Sequence, residues 1–310
     1  MKKHNYRIDI NGTVKEEKGK RFEYSFGHTK NIVLLINGNK VSIIFSIYPK
    51  YDFDSIDEKK IFKDCIKKAL LTGVLLNGKE LIINKLFCTI DDQKEQIGAP
   101  TVYSMLNGGN INNIIQLKER ECILDKLLSM PLSKEDNKLA CVISLLISES
   151  KEYLQEKFMY LWMSFNSFYN EKCKIDNYEK RKEWKRISHL INYYGYGDEI
   201  LEEGNQIIES MYHVINNWDN TPISEFSINE KLKNNIEELL KNNNYEGKLS
   251  AYGYLLGDFS YRLRCKYFHG NKASNIYCFG DEFNLNAIKI SIESLKSFLY
   301  DHIVDVFNGS

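Results

Sequence analysis

The sequence predicts an α+β N-terminal domain followed by an all-α helical bundle. Three observations carry that prediction. β-branched and aromatic runs fill most of residues 1–97, a single helical period interrupts those runs, and beyond Pro131 apolar residues recur at helical spacing almost to the end.

The strand chemistry begins with YRIDINGTV and continues through RFEYSF, NIVLLI and KVSIIFSIYP. NGNK at Asn37 to Lys40 is a two-residue-loop hairpin signal of the Asn-Gly type, so an antiparallel sheet is expected. In SIDEKKIFKDCIKKALLTGVLLNG, Ile56, Phe62, Cys65, Ile66, Ala69 and Leu70 fall largely at helical spacing. Ser55 is the candidate N-cap and Gly78 the candidate stop. LIINKLFCTI returns as a strand, and Asp91, Asp92 and Glu95 after it read as a turn rather than a metal-binding edge.

Residues 98–133 read as a linker. GAPTVYSMLNGGNINN is loose in pattern, and ECILDKLLSMP is a short helix ended by Pro131. NGGN at Asn107 to Asn110 lacks the Lys-Ser/Thr that would follow in a phosphate loop. Residues 134–310 then read as five or six helices, the first running from about Lys134 to Glu171 with a candidate break near Ser148 to Ser150.

Composition narrows the function classes. Lys plus Arg and Asp plus Glu are each 42 in a chain of 310 residues, so no global field draws it to nucleic acid or an anionic membrane, and any such contact needs a local patch. No secretory h-region and no uninterrupted apolar stretch of about 18 residues is present, so an unsecreted, cytoplasmic protein without a membrane partner is expected. The 7 cysteines are scattered and never form C-x-x-C, which fits reduced thiols rather than a disulfide framework or a zinc site, and no cofactor is expected.

The segment that carries candidate chemistry is YRLRCKYFHGNK, Tyr261 to Lys272. Leu255, Phe259 and Leu263, with Tyr267 beyond them, make an apolar stripe at about 100° per residue, and Arg262, Lys266 and His269 make a polar one. Gly270 suits a left-handed C′ position, so His269 falls in the last turn. Spacing alone describes a solvated helix end. An imidazole beside a guanidinium can also serve a phosphodiester, moving the 2′-hydroxyl proton while the fork stabilises charge on phosphorus-bound oxygens.

RCKYFHGNK resembles the R-x4-6-H motif of HEPN domains, with Arg264 and His269 in the motif positions. Upstream, LWMSFNSFYNE resembles the tryptophan- and asparagine-bearing helix of one bacterial HEPN branch, and Trp162, Asn166 and Asn170 share one helical face. The resemblance covers residues 134–307. It implies a HEPN-like bundle and a metal-independent endoribonuclease of bacterial toxin–antitoxin or anti-phage defence systems, leaving 2′,3′-cyclic phosphate and 5′-hydroxyl ends. Arg264 and His269 would be catalytic, Asn166, Arg262 and Asn170 supporting, and Lys266 and Lys272 RNA-binding. It further implies a homodimer through the helical domain, with the N-terminal domain as the place for a trigger ligand or antitoxin. Cys265 stands where many members carry a polar residue such as Asn, which favours the alternative of a non-catalytic HEPN module that binds a nucleotide or a partner protein.

Two further features have everyday explanations. EKRKEWKR, Glu179 to Arg186, is either a nucleic-acid-tracking run or, more simply, the solvated face of an amphipathic helix. His189 and His213 lie between apolar residues and read as structural.

Overall fold

The computed structural model describes residues 4–11, 19–26, 29–37, 40–47, 56–77, 85–90, 93–96, 119–132, 137–175, 177–178, 180–194, 255–261, 263–264 and 282–307. Six strands form one antiparallel sheet: β1 (His4–Asn11), β2 (Lys20–Phe26), β3 (Thr29–Asn37), β4 (Lys40–Ile47), β5 (Lys85–Ile90) and β6 (Gln93–Gln96), in the order β2-β3-β4-β1-β5-β6. Phe26 pairs with Thr29, Asn37 with Lys40, and Ile90 with Gln93, so each hairpin turns in two residues. In the second of these Asn37 is itself a paired strand residue. Gly38 and Asn39, rather than Asn37 and Gly38, therefore lie between the paired positions.

Side-chain alternation sets one face of the sheet. Tyr24, Ile32 and Leu34 are buried while Glu23, Ser25 and Asn31 are exposed, and Tyr24 sits directly across from Ile32. Asn31 takes a positive φ of 58°, close to where the β2–β3 register shifts between Tyr24 and Phe26. The strand β6, QKEQ, has no apolar side chain to signal it. It is a polar edge, and charge on an edge discourages pairing with other chains.

The helix α1 (Ile56–Asn77) is more buried than its amphipathic pattern suggests, because Lys68 to Leu75 are buried on every face. Among them lies an ion pair, Lys68 Nζ to Asp64 Oδ2 at 3.2 Å, with side-chain exposures of 0% and 1%. Its remaining bonding capacity is used locally. Tyr24 donates its hydroxyl to Asp64 Oδ2 at 2.7 Å, the Leu132 N–H donates to Asp64 Oδ1 at 2.6 Å, and Lys68 donates to the Leu128 carbonyl at 3.1 Å while lying over the Tyr24 ring. Leu128 ends α2 (Arg120–Leu128), so Lys68 caps a helix C-terminus, where a cation is favoured by the dipole. The short helix before Pro131 is thus bolted to α1.

The segment from Lys134, with its candidate break near Ser148 to Ser150, is two helices, α3 (Asn137–Glu149) and α4 (Leu154–Ile175), separated at Ser150 to Tyr153. Ser148 and Ser150 bend their hydroxyls back to the carbonyls of Leu145 and Ile147, the local competition that lets serine end a helix. The chain divides into compact units at residues 1–150 and 151–309, so α3 groups with the sheet unit.

The second unit is helical in every described element: α4, α5 (Glu183–Tyr193), a π-helical turn at Leu255–Phe259, and α6 (Glu282–His302) leading into a 3-10 turn at Ile303–Phe307. Its core is aromatic. Phe298 meets Phe165, Phe168 and Tyr194 edge-on at centroid separations of 5.5, 5.5 and 5.7 Å, a favoured arrangement for ring quadrupoles. Gly257 in the π turn admits α5, since a Cβ there would lie 2.9 Å from Ile191 Cδ1. Residues 195–254, where the sequence places further helices of the bundle, lie outside the described residues, as does His213. No described helix is long and apolar enough to cross a membrane.

Candidate functional site

Of the residues singled out from sequence, Asn166, Asn170 and Arg264 are described; Arg262, His269, Lys266, Lys272 and Cys265 lie outside the described residues. The backbone leading to Arg264 starts from the π turn and continues helically through Ser260, Tyr261 and Leu263. Leu256, Phe259 and Leu263 face the core. A π turn inserts residues relative to an α-helix and so resets which face follows it.

The segments that carry the two sequence patterns meet. Trp162 on α4 packs against Tyr261 with ring centroids 6.2 Å apart. Trp162 is buried, and its indole N–H has no acceptor among the described residues. Along the same face of α4, Asn170 donates through Nδ2 to Asn166 Oδ1 at 3.2 Å. Asn170 Oδ1 in turn accepts from Arg186 Nη1, so the donor fork of a guanidinium fixes the direction of the amide chain.

Arg186 stands with its guanidinium 5.3 Å from the Tyr169 ring centroid. Tyr169 is fully buried and donates its hydroxyl to Glu183 Oε1 at 2.6 Å. The other carboxylate oxygen, Glu183 Oε2, lies 3.9 Å from Arg264 Nη1, with side-chain exposures of 21% for Arg264 and 24% for Glu183. A continuous polar chain therefore runs Asn166, Asn170, Arg186, Tyr169, Glu183, Arg264 across α4, α5 and the Arg264 helix.

Burial, first, and then the Glu183 carboxylate push the Tyr169 phenol well above its ordinary value; Arg186 and Arg264 pull the other way and do not reverse it. The phenol is held protonated, as a permanent donor. The polar chain holds two guanidinium groups, Arg186 against Asn170 and the Tyr169 ring and Arg264 beside Glu183, to one carboxylate, a balance that suits an anion. Among the described residues no three His, Cys, Asp or Glu side chains converge as a metal would require.

Three members of this chain, Tyr169, Glu183 and Arg186, fall outside the candidate site residues of the sequence, and Arg186 belongs to the run that reads there as a solvated face. A signal existed. Glu183, Ile187, Leu190 and Tyr194 recur at i, i+4, i+7 and i+11, and the last three are buried, so Glu183 lies on the inward stripe of α5. His189 is structural here, stacked on Tyr178 at 4.4 Å and 13°. Compared with family models, with curated proteins and with solved structures, the chain finds no match.

Proposed function

We propose that the chain is a HEPN-type, metal-independent endoribonuclease of bacterial anti-phage defence or a toxin–antitoxin system. The observation that carries this reading is the meeting of two segments far apart in sequence, Trp162 against Tyr261, with Arg264 and the Asn166–Asn170 pair joined through Glu183, Tyr169 and Arg186. Such a meeting is what the two resemblances, taken together, require.

In this reading His269 takes the proton of a ribose 2′-hydroxyl or returns one to the leaving 5′-oxygen. The 2′-oxygen bonds to phosphorus as the phosphorus–5′-oxygen bond breaks, leaving a 2′,3′-cyclic phosphate and a 5′-hydroxyl. The Arg264 guanidinium stabilises the charge that gathers on the non-bridging oxygens. Arg262, Lys266 and Lys272 would hold flanking phosphates. The helical units pair into a homodimer, and the sheet unit receives a trigger ligand or an antitoxin.

Total RNA incubated in EDTA with the parent protein and with His269→Ala tests the assignment. The parent should generate cyclic phosphate ends and the variant none; cleavage retained in the variant would sink the assignment. Arg264→Ala and Arg262→Ala, assayed separately, identify the acting arginine, and loss of a charge-stabilising donor should lower the rate about 10²–10³-fold.

A second reading is favoured by the Glu183 carboxylate beside Arg264 and by Cys265 in the motif: a non-catalytic HEPN module holding a nucleotide or partner protein. Expression separates the two, since an unrestrained nuclease slows growth and its His269→Ala variant does not.

A further inference from the structure

We propose that the turn joining α4 to α5 is a docking surface for the phosphodiester backbone of single-stranded RNA. The choice of RNA as occupant rests on the ribonuclease reading above; the surface itself rests on charge and geometry.

The turn opens a basic run, Glu179 to Arg186, and one of the run's two acidic members has been withdrawn from its surface. Lys180, Arg181, Lys182 and Lys185 are exposed, and the first three form no ion pair among the described residues. The carboxylates from the end of α4 to Lys185 are Asp176, Glu179 and Glu183, and the last of these is turned inward to Tyr169 and Arg264. With Glu183 turned inward, Lys180, Arg181, Lys182 and Lys185 stand against Asp176 and Glu179 in this stretch, so it carries more positive charge than its composition alone suggests. In a chain with equal numbers of cationic and anionic residues, a patch of this kind is where a polyanion would be held.

The surface is also held in shape. Asn177 reverses the chain with a φ of 57°, the Tyr178 N–H closes the end of α4 on the Cys173 carbonyl at 2.6 Å, and the Arg181 N–H bonds to the Tyr178 carbonyl at 3.1 Å. One face of the Tyr178 ring lies on His189, and the Arg181 guanidinium stands 5.6 Å from the ring centroid. A stacked guanidinium loses less freedom on meeting a phosphate than a lysine in solvent does. Lys182 opens α5 in an extended conformation without a side-chain cap, so backbone donors of the first turn add to the cations.

Continuity with the candidate site gives the surface its direction. The helix that begins at this turn also carries Glu183 and Arg186, which reach Arg264 and Asn170. A strand placed at Arg264 and continued along the start of α5 would pass over Lys182, Arg181 and Lys180.

The experiment is fluorescence anisotropy with a labelled oligouridine of about 12 nucleotides, a length within ordinary single-strand site sizes. The full chain carrying His269→Ala, so that the probe survives, is compared with the same chain carrying Lys180→Ala, Arg181→Ala and Lys182→Ala as well. Between about 50 and 200 mM salt the triple variant should show a log K against log salt slope flatter by about 2, at roughly 0.7 for each phosphate that is no longer neutralised. At the lowest salt it should bind at least about tenfold more weakly. Unchanged affinity and slope overturn the proposal, as does equal competition by duplex DNA. The two readings fail separately. A parent protein that cleaves RNA while the triple variant binds like its reference removes this surface and keeps the nuclease; a parent that binds with the predicted slope and never cleaves does the reverse.

Discussion

Tyr169 is a buried phenol whose hydroxyl donates to the Glu183 carboxylate, on which Arg264 also depends for counter-charge. Its pKa in the folded protein lies above the ordinary value of about 10, so the unfolded chain releases that proton first. The stability contributed by this phenol is therefore complete below pH of about 10 and is lost as pH rises beyond it. Tyr169→Phe should cost about 1–2 kcal/mol at neutral pH, from one buried bond to a charged acceptor, and should flatten the decline in stability above pH of about 10. Urea midpoints measured across the alkaline range check both parts; a variant as alkali-sensitive as the parent would place the titration elsewhere. At this scale Asn166, Asn170 and Arg264 stand out in the sequence, and the structure places all three on one polar chain. The sequence was opaque for Arg186, because a cation in a basic run looks solvated until a partner such as Asn170 is seen one helix away.

Between elements, the Asp64–Lys68 pair fastens α1 to α2 and to the chain after Pro131. Opposite charges at i and i+4 on a helix ordinarily face solvent. Burial reverses the energetics. Asp64→Ala should cost about 3–5 kcal/mol, since it strands a buried ammonium. A simple buried pair is often replaceable by two apolar residues, but here Asp64→Leu with Lys68→Met should stay destabilised by about 2 kcal/mol or more. It leaves the Tyr24 hydroxyl, the Leu132 N–H and the Leu128 carbonyl without these partners. Chemical denaturation of the single and double variants decides it, and full recovery in the double would mean those three groups find water. The strands β1 to β4 were legible because β-branched alternation signals a half-buried ribbon, whereas β6 was not, since QKEQ offers no apolar alternation to read. The break between α3 and α4 was legible in its serines, and their hydroxyls do turn back on the helix.

For the whole molecule, the HEPN reading makes a prediction about mass. Paired helical units should give a particle of twice the chain's 36.3 kDa by light scattering, independent of salt if the contact is apolar; a particle at the mass of one chain would remove the composite cleft. The order of sheet unit before helical unit was legible from the change of hydrophobic period alone. The boundary at residues 150–151 was not, because grouping α3 with the sheet depends on packing that no local pattern records. The sheet order also has a consequence on the ribosome. β1 lies between β4 and β5, so the first strand to emerge is the one whose two neighbours emerge later. Its pairing with β4 waits for residue 47 and its pairing with β5 for residue 90. At ordinary elongation rates the second flank stays open for on the order of 4–15 seconds. The growing chain thus carries an unpaired strand edge between the synthesis of β1 and that of β5, and the speed of translation from residue 11 to residue 90 sets how long that edge is exposed to other chains.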